Sequence, residues 1–164
     1  VPDLNCYSEP ITALRPMRPI AVPTRVGGDR WQLHTLPGEW VTPGLAIVPA
    51  EPPDRHRGGW PGWEGRTRGW RILHTRSGAH VTTALFLPWA REVSHQLTNL
   101  PIDWTATAEE ITQPDAVQDA LITVWRDLHT RESDLSTRSH SSDPATRRRV
   151  YRQLRALGAE HRPI

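Results

Sequence analysis

The chain has 164 residues, and its 20 basic residues, all Arg, stand against 18 acids for a net charge of +2. It contains no run of roughly 18 apolar residues, which excludes a membrane-spanning helix, and its single Cys6 excludes both an intramolecular disulfide and a cysteine-based metal cluster. One domain with a helical appendage is the expectation at this length, and a start without a basic-then-apolar leader reads as cytoplasmic.

The total absence of Lys matches the coding bias of a GC-rich genome, such as that of an actinobacterium or of its phages and plasmids. Charge is unevenly distributed. Residues 1–102 carry 11 Arg against 8 acids, residues 103–135 carry 2 Arg against 8 acids, and residues 136–164 carry 7 Arg against 2 acids. Such asymmetry bears on partners more than the total does, although an acidic helix beside a basic one can also pair within the molecule.

Residues 1–29 hold five of the 16 Pro and read as extended and irregular, with strand pieces such as Ile20-Ala21-Val22 at most. An internal repeat follows. At an offset of 40, residues 33–50 lie over residues 73–90 with eight of eighteen positions identical, among them His34/His74, Gly38/Gly78 and Leu45/Leu85. Composition alone gives roughly one match in such a window, so the repeat predicts one unit used twice.

Each copy reads as a β-hairpin, over 30–50 and 70–90. Arg76-Ser77-Gly78 forms the second turn, and Gly38 sits in the equivalent turn of the first. That register sets His34 opposite Trp40 and His74 opposite His80. It also places Leu33, Val41, Leu45 and Ile47 on one face, with Leu73, Val81, Leu85 and Leu87 as their counterparts. The second hairpin reads as covered on both faces, and the first, with Pro43 and Gly44, as an edge. Between the copies, residues 51–69 form a long Gly/Pro/Arg/Trp loop.

Pro88 opens a helix to about Asn99 with Trp89, Val93 and Leu97 on one stripe. Thr105–Thr112 reads as a short helical turn. A stronger helix starts at Pro114 or Asp115 and runs to about residue 130, with Val117, Leu121, Val124 and Leu128 at helical spacing. Five Ser within 132–143 read as a flexible linker. Ser142-Asp143-Pro144 then starts a last helix, within a basic segment spanning 144–164. Strands precede helices, so the class is α+β: a small antiparallel sheet followed by two or three helices, over a domain of residues 1–131.

Two segments suit binding. In the loop, Trp60 and Trp63 lie among Arg55, Arg57, Arg66 and Arg68, a combination that offers stacking planes and phosphate neutralisation to nucleic acid. The bland alternative folds both Trp back on the sheet and leaves the Arg in solvent. In the last helix, Arg147, Arg148, Arg149, Arg152 and Arg155 surround a narrow stripe of Val150, Leu154 and Leu157. That helix could meet phosphates or an acidic protein surface, pack on its own domain, or dock on a second copy of the chain.

His74 and His80, as cross-strand neighbours, could share a metal, but no Cys, Asp or Glu stands nearby at ligand spacing. Glu109, Glu110, Asp115 and Asp119 read as helix N-terminal acids without a base, nucleophile or phosphate loop beside them. The sequence therefore reads as a non-catalytic binding module without cofactor or metal, nucleic-acid-associated through the loop and the basic helix. A protein–protein adaptor or inhibitor gripping an acidic partner is the second reading, and an enzyme built around the histidines is the third.

Overall fold

The computed structural model describes residues 7–50, 66–157 and 160–161. The main sheet is antiparallel and five-stranded, in the order β2 (Arg18–Gly27), β3 (Arg30–Thr42), β4 (Leu45–Pro49), β6 (Trp70–His74) and β7 (Ala79–Ala84). A small sheet places β1 (Tyr7–Pro10) between β5 (Arg66–Thr67) and β8 (Glu160–His161). Helices α1 (Leu87–Thr98), α2 (Ala108–Thr112), α3 (Asp115–Ser139) and α4 (Pro144–Ala156) follow, which makes the class α+β. No helix of the described residues is long and apolar enough to cross a membrane.

Every residue of β4 is buried, as its apolar run Leu-Ala-Ile-Val requires of a central strand. Its two faces feed two cores. Leu45 and Ile47 join Trp70, Ile72, Phe86 and the buried face of α1, Trp89, Ala90, Val93 and Leu97, in the larger core. Ala46 and Val48 join Ile20, Val22, Leu36 and Leu73 in a smaller one on the opposite side. No helix is needed there because the sheet curls over itself. A Cβ on Gly78, in the β6–β7 turn, would overlap the carbonyl of Pro23 in β2, at the other end of the strand order.

The two copies of the repeat take different structures. Residues 33–42 of the first copy form one continuous strand, whereas the matching residues of the second turn back at 75–78. Gly78 takes φ +71° in that turn. Its counterpart Gly38 lies buried within β3, where an added Cβ would meet Ile20 and Val48 side chains and the Ile47 carbonyl. The difference comes from a partner outside the repeat. β2 pairs along β3 from Arg18↔Gly38 to Gly27↔Arg30, which keeps β3 extended past the expected turn.

His34 therefore faces Val22 instead of Trp40. A register shift after Ile72 sets His80 opposite Leu73 and His74 opposite Ala79. Leu73 and Ile72 enter opposite cores, so β6 is covered on both faces, but His80 and Thr83 leave one face of β7 exposed, and Leu73 does not share the face assigned to it. Leu33 keeps its parity yet lies beyond the core and is exposed. The first copy is interior to the sheet; β2 and β7 are the edges.

β2 is longer than the Pro-rich sequence led us to expect, at ten residues. Proline is tolerated because β2 is an edge strand: Pro19 and Pro23 sit where the missing N–H would point away from β3. β4 meets β3 only at Glu39–Thr42, so residues 18–38 form a two-stranded ribbon of which the tip extends past the smaller core.

The helix signals hold closely. Pro88 lies in the first turn of α1, Thr107 and Glu110 close a capping box on α2, and Asp143 caps α4 ahead of Pro144. One segment differs. Residues 132–139, expected as a flexible linker, are the last two turns of α3, and Leu135 at their centre is fully buried. That leaves residues 140–143 as the connection to α4.

Glu9 binds these layers together. Its carboxylate Oε2 accepts from the Trp70 indole N–H and from the backbone N–H of Leu87 at 3.0 Å. Phe86, at the N-cap of α1, has no side chain that could do this. Burial pushes the Glu9 carboxyl above its ordinary range, against the opposing pull of Trp70 and Leu87. Beside it, Arg91 of α1 forks onto Glu39 of β3, at 2.9 Å from Nη2 to Oε2, and also donates to the Ala13 carbonyl.

Two outcomes test this account. An acid with a raised folded-state pKa stabilises the fold below its unfolded value, here 4.5, and loses that contribution as pH rises through the folded value. Urea midpoints of Glu9→Gln relative to the unaltered chain should therefore rise from acid to neutral pH; a flat difference refutes a raised Glu9. Gly78→Ala should cost at least about 1 kcal/mol for its left-handed backbone alone, with further loss from the overlap with Pro23, read from the same melts.

Candidate nucleic-acid interface

Asp143 accepts from the backbone N–H groups of Ala145 and Thr146, at 3.2 and 3.0 Å, and from the Thr146 hydroxyl at 2.7 Å. The Thr146 hydroxyl bond first, and the backbone bonds after it, hold this carboxyl below its ordinary range. With its start fixed, α4 turns Val150 and Leu154 into the same core as Leu128 and Leu135 of α3. Full burial of such side chains contributes about 1.5–3 kcal/mol each, so the helix is docked on its own domain through its apolar stripe.

The arginines divide by position. Arg147 turns back and donates from Nη1 to the carbonyls of Ser141 and Ser142, at 2.7 and 2.9 Å, stapling the α3–α4 connection. Arg148, Arg149, Arg152 and Arg155 are exposed. Arg148, Arg152 and Arg155, at i, i+4 and i+7, share one stripe on the face turned from the core. Among the described residues these three make no hydrogen bond or ion pair. Tyr151 flanks them, about 38% exposed, and Arg149 lies close enough to Asp143 to lower its pKa further.

The acidic and basic helices do not neutralise one another. Arg131 of α3 pairs with Glu92 of α1 and lies over the Trp89 ring, and Arg138 pairs with Asp134 of its own helix. The polar link between α3 and α4 among the described residues is Arg138 to Gln153, at 3.2 Å. Asp115, Asp119 and Asp127 fall on the N-terminal half of α3, away from the end onto which α4 folds back.

Of the loop residues, Arg55, Arg57, Trp60 and Trp63 lie outside the described residues. Arg66 is placed in β5 by its backbone, paired with Pro10, and Arg68 is exposed just after it.

The histidines are not brought together. Trp70, Ile72 and His74 point to one face of β6, whereas His80 lies opposite Leu73 on the other and contacts Arg71 at 2.9 Å. His74 is buried, with Nε2 at 3.0 and 3.1 Å from the carbonyls of Trp104 and Ala106. Carbonyls only accept, so Nε2 carries a proton, and Nδ1 shares a hydrogen bond with the Ser77 hydroxyl at 2.7 Å. Ser77 Oγ in turn accepts from the backbone N–H of Ala79. Both ring nitrogens are thus used in pinning the β6–β7 turn to the segment before α2. Glu110 is likewise occupied, by the Thr107 backbone N–H. No group of three or more metal-ligating side chains occurs among the described residues.

Sequence reasoning missed the most exposed aromatic of the described residues, Trp31 near the ribbon tip, at 61%. The signal was Gly27-Gly28-Asp29, a tight-turn sequence between two β-capable stretches, but the prolines before it argued against a strand. No family model, curated protein or solved structure matches the chain.

Proposed function

We propose that this chain is a non-catalytic nucleic-acid-binding module whose α4 lies against the phosphate backbone. One observation carries the reading: Arg148, Arg152 and Arg155 form an exposed stripe with no acidic partner among the described residues, on a helix already anchored by its other face. At 1.5 Å per residue the stripe is about 10 Å long. That is about three base-pair steps of 3.4 Å measured along a duplex axis. The segment bearing Arg55, Arg57, Trp60, Trp63, Arg66 and Arg68 is the second contact in this reading, supplying stacking and further phosphate neutralisation.

The test is anisotropy of short labelled DNA and RNA, single- and double-stranded, across a salt series. Binding should fall linearly with salt on logarithmic axes. Arg148→Ala/Arg152→Ala/Arg155→Ala should flatten the duplex slope by up to about 2.7, at 0.9 per phosphate contact. These side chains are exposed, so the fold should survive the change nearly intact. Absence of binding at low salt, or a slope unmoved by the triple variant, refutes the reading. An acidic protein would then be the more fitting partner for α4.

A further inference from the structure

We infer that the tip of the β2–β3 ribbon is a base-stacking arm for single-stranded nucleic acid, with Trp31 as its platform; this rests on the nucleic-acid reading above. The ribbon exposes Trp31 at 61% and Leu33 at 69%, the two largest exposures among the described large apolar side chains. They are two residues apart on one strand and so point to the same face. At about 3.4 Å per residue their Cβ atoms lie roughly 7 Å apart. That is twice the 3.4 Å spacing of stacked bases, so one unpaired base fits between the Trp31 ring and the Leu33 side chain.

Charge favours nucleic acid as the occupant. Residues 18–38 carry Arg18, Arg25 and Arg30 against Asp29 alone. Arg25 is committed to the turn: its Nε donates to the Gly28 carbonyl and its Nη2 approaches Asp29 at 3.4 Å. Arg25 is also the cross-strand partner of Trp31 and so shares its face, whereas Arg18 and Arg30, exposed and without an ion pair among the described residues, fall on the opposite face of the ribbon. A second protein strand is a poor occupant. Pro19 and Pro23 remove two of the N–H donors on the free edge of β2, so strand addition there lacks its backbone bonds. On the face of Trp31 the ribbon thus offers side chains: an aromatic plane, an apolar neighbour and the guanidinium of Arg25 across from the ring.

The arm is also held at a fixed place. Ile20, Val22 and Leu36 root it in the smaller core, and the β6–β7 turn abuts Pro23. Beyond Pro23 the tip is free of the body of the sheet, as the exposure of residues 25–33 records. An exposed Trp on a rooted ribbon loses little conformational freedom on binding, which keeps stacking favourable.

The experiment measures binding of the full chain to a labelled oligothymidine of about 15 nucleotides, a length suited to single-strand sites, and to a duplex of equal length. Trp31→Ala should weaken the single-strand complex about 5- to 100-fold, the range of one lost stacking contact. The salt slope should not change, and the duplex should be affected little. Trp31→Phe should restore most of the affinity, and Leu33→Ala should cause a smaller loss. Unchanged thermal melts would show that the variants fold. Single-strand binding by Trp31→Ala equal to that of the unaltered chain overturns the arm while leaving the α4 reading standing. Equal weakening on duplex and single strand overturns stacking on an unpaired base. If the unaltered chain binds neither probe at low salt, the nucleic-acid reading itself fails.

Discussion

A single buried carboxylate closes this fold. Glu9 comes from the small sheet, Trp70 from the main sheet and Leu87 from the start of α1, and the three meet at Glu9 Oε2 across 61 and 78 residues of chain. Each buried donor left unpaired would cost about 1–3 kcal/mol, and here two depend on one side chain. The helix dipole adds to the attraction, since the carboxylate lies at the N-terminus of α1. The desolvation that raises the Glu9 pKa opposes this gain. Arg91, one turn into α1, carries the same junction on to Glu39 and β3. The orientation of α1 over the sheet, and with it the larger core, follows from this junction.

Once α1 covers one face of the sheet, the other face must bury its apolar residues without a helix. Curling does so. Ala46, Val48 and Leu73 are closed over by Ile20 and Val22 of edge strand β2 and Leu36 of its partner β3. The cost is geometric: β3 has thirteen residues while β4 has five, so the paired β2–β3 segment outruns the core that roots it. The projecting ribbon is therefore a product of the same length mismatch that allows the sheet to roll.

The helices were legible in the sequence because their signals are local. Pro88 and Asp143-Pro144 each act within one turn of the helix they start, whereas the Thr107–Glu110 box that starts α2 emerged only with the structure. The repeat misled because strand pairing is not local. Gly38 and Gly78 sit in nearly identical words, His-Thr-Leu-Pro-Gly and His-Thr-Arg-Ser-Gly. One lies in a strand and the other in a turn because β2 is available to pair with the first and nothing equivalent pairs with the second. The apolar 135 position likewise outweighed the Ser content around it, since the packing of Leu135 against α4 extends α3 through a segment of low helix propensity. The arginine stripe of α4 was visible as composition, but separating Arg147 from the others required the turn it caps. Trp31 was not visible as a surface feature, since its exposure depends on where β4 ends.

The arrangement of charge on α4 is unexplained by the fold alone. Val150 and Leu154 hold the helix in place, and an exposed ion pair would add at most about 1 kcal/mol to that. Arg148 and Arg152 are like charges at i, i+4, while Arg152 and Arg155, like Arg149 and Arg152, are at i, i+3. Each such pair weakens a helix by about 0.2–0.5 kcal/mol. On the half of α3 onto which α4 folds, Glu132 is engaged by the Leu85 N–H and Asp134 by Arg138, and Asp115 at the far end favours its own helix N-terminus. Arg155 gains from the helix dipole in the last turn of α4, whereas the repulsion between Arg148 and Arg152 is a small cost with no compensating acid among the described residues. A partner that supplies closely spaced negative charge, as a phosphate backbone does, would turn that cost into binding energy.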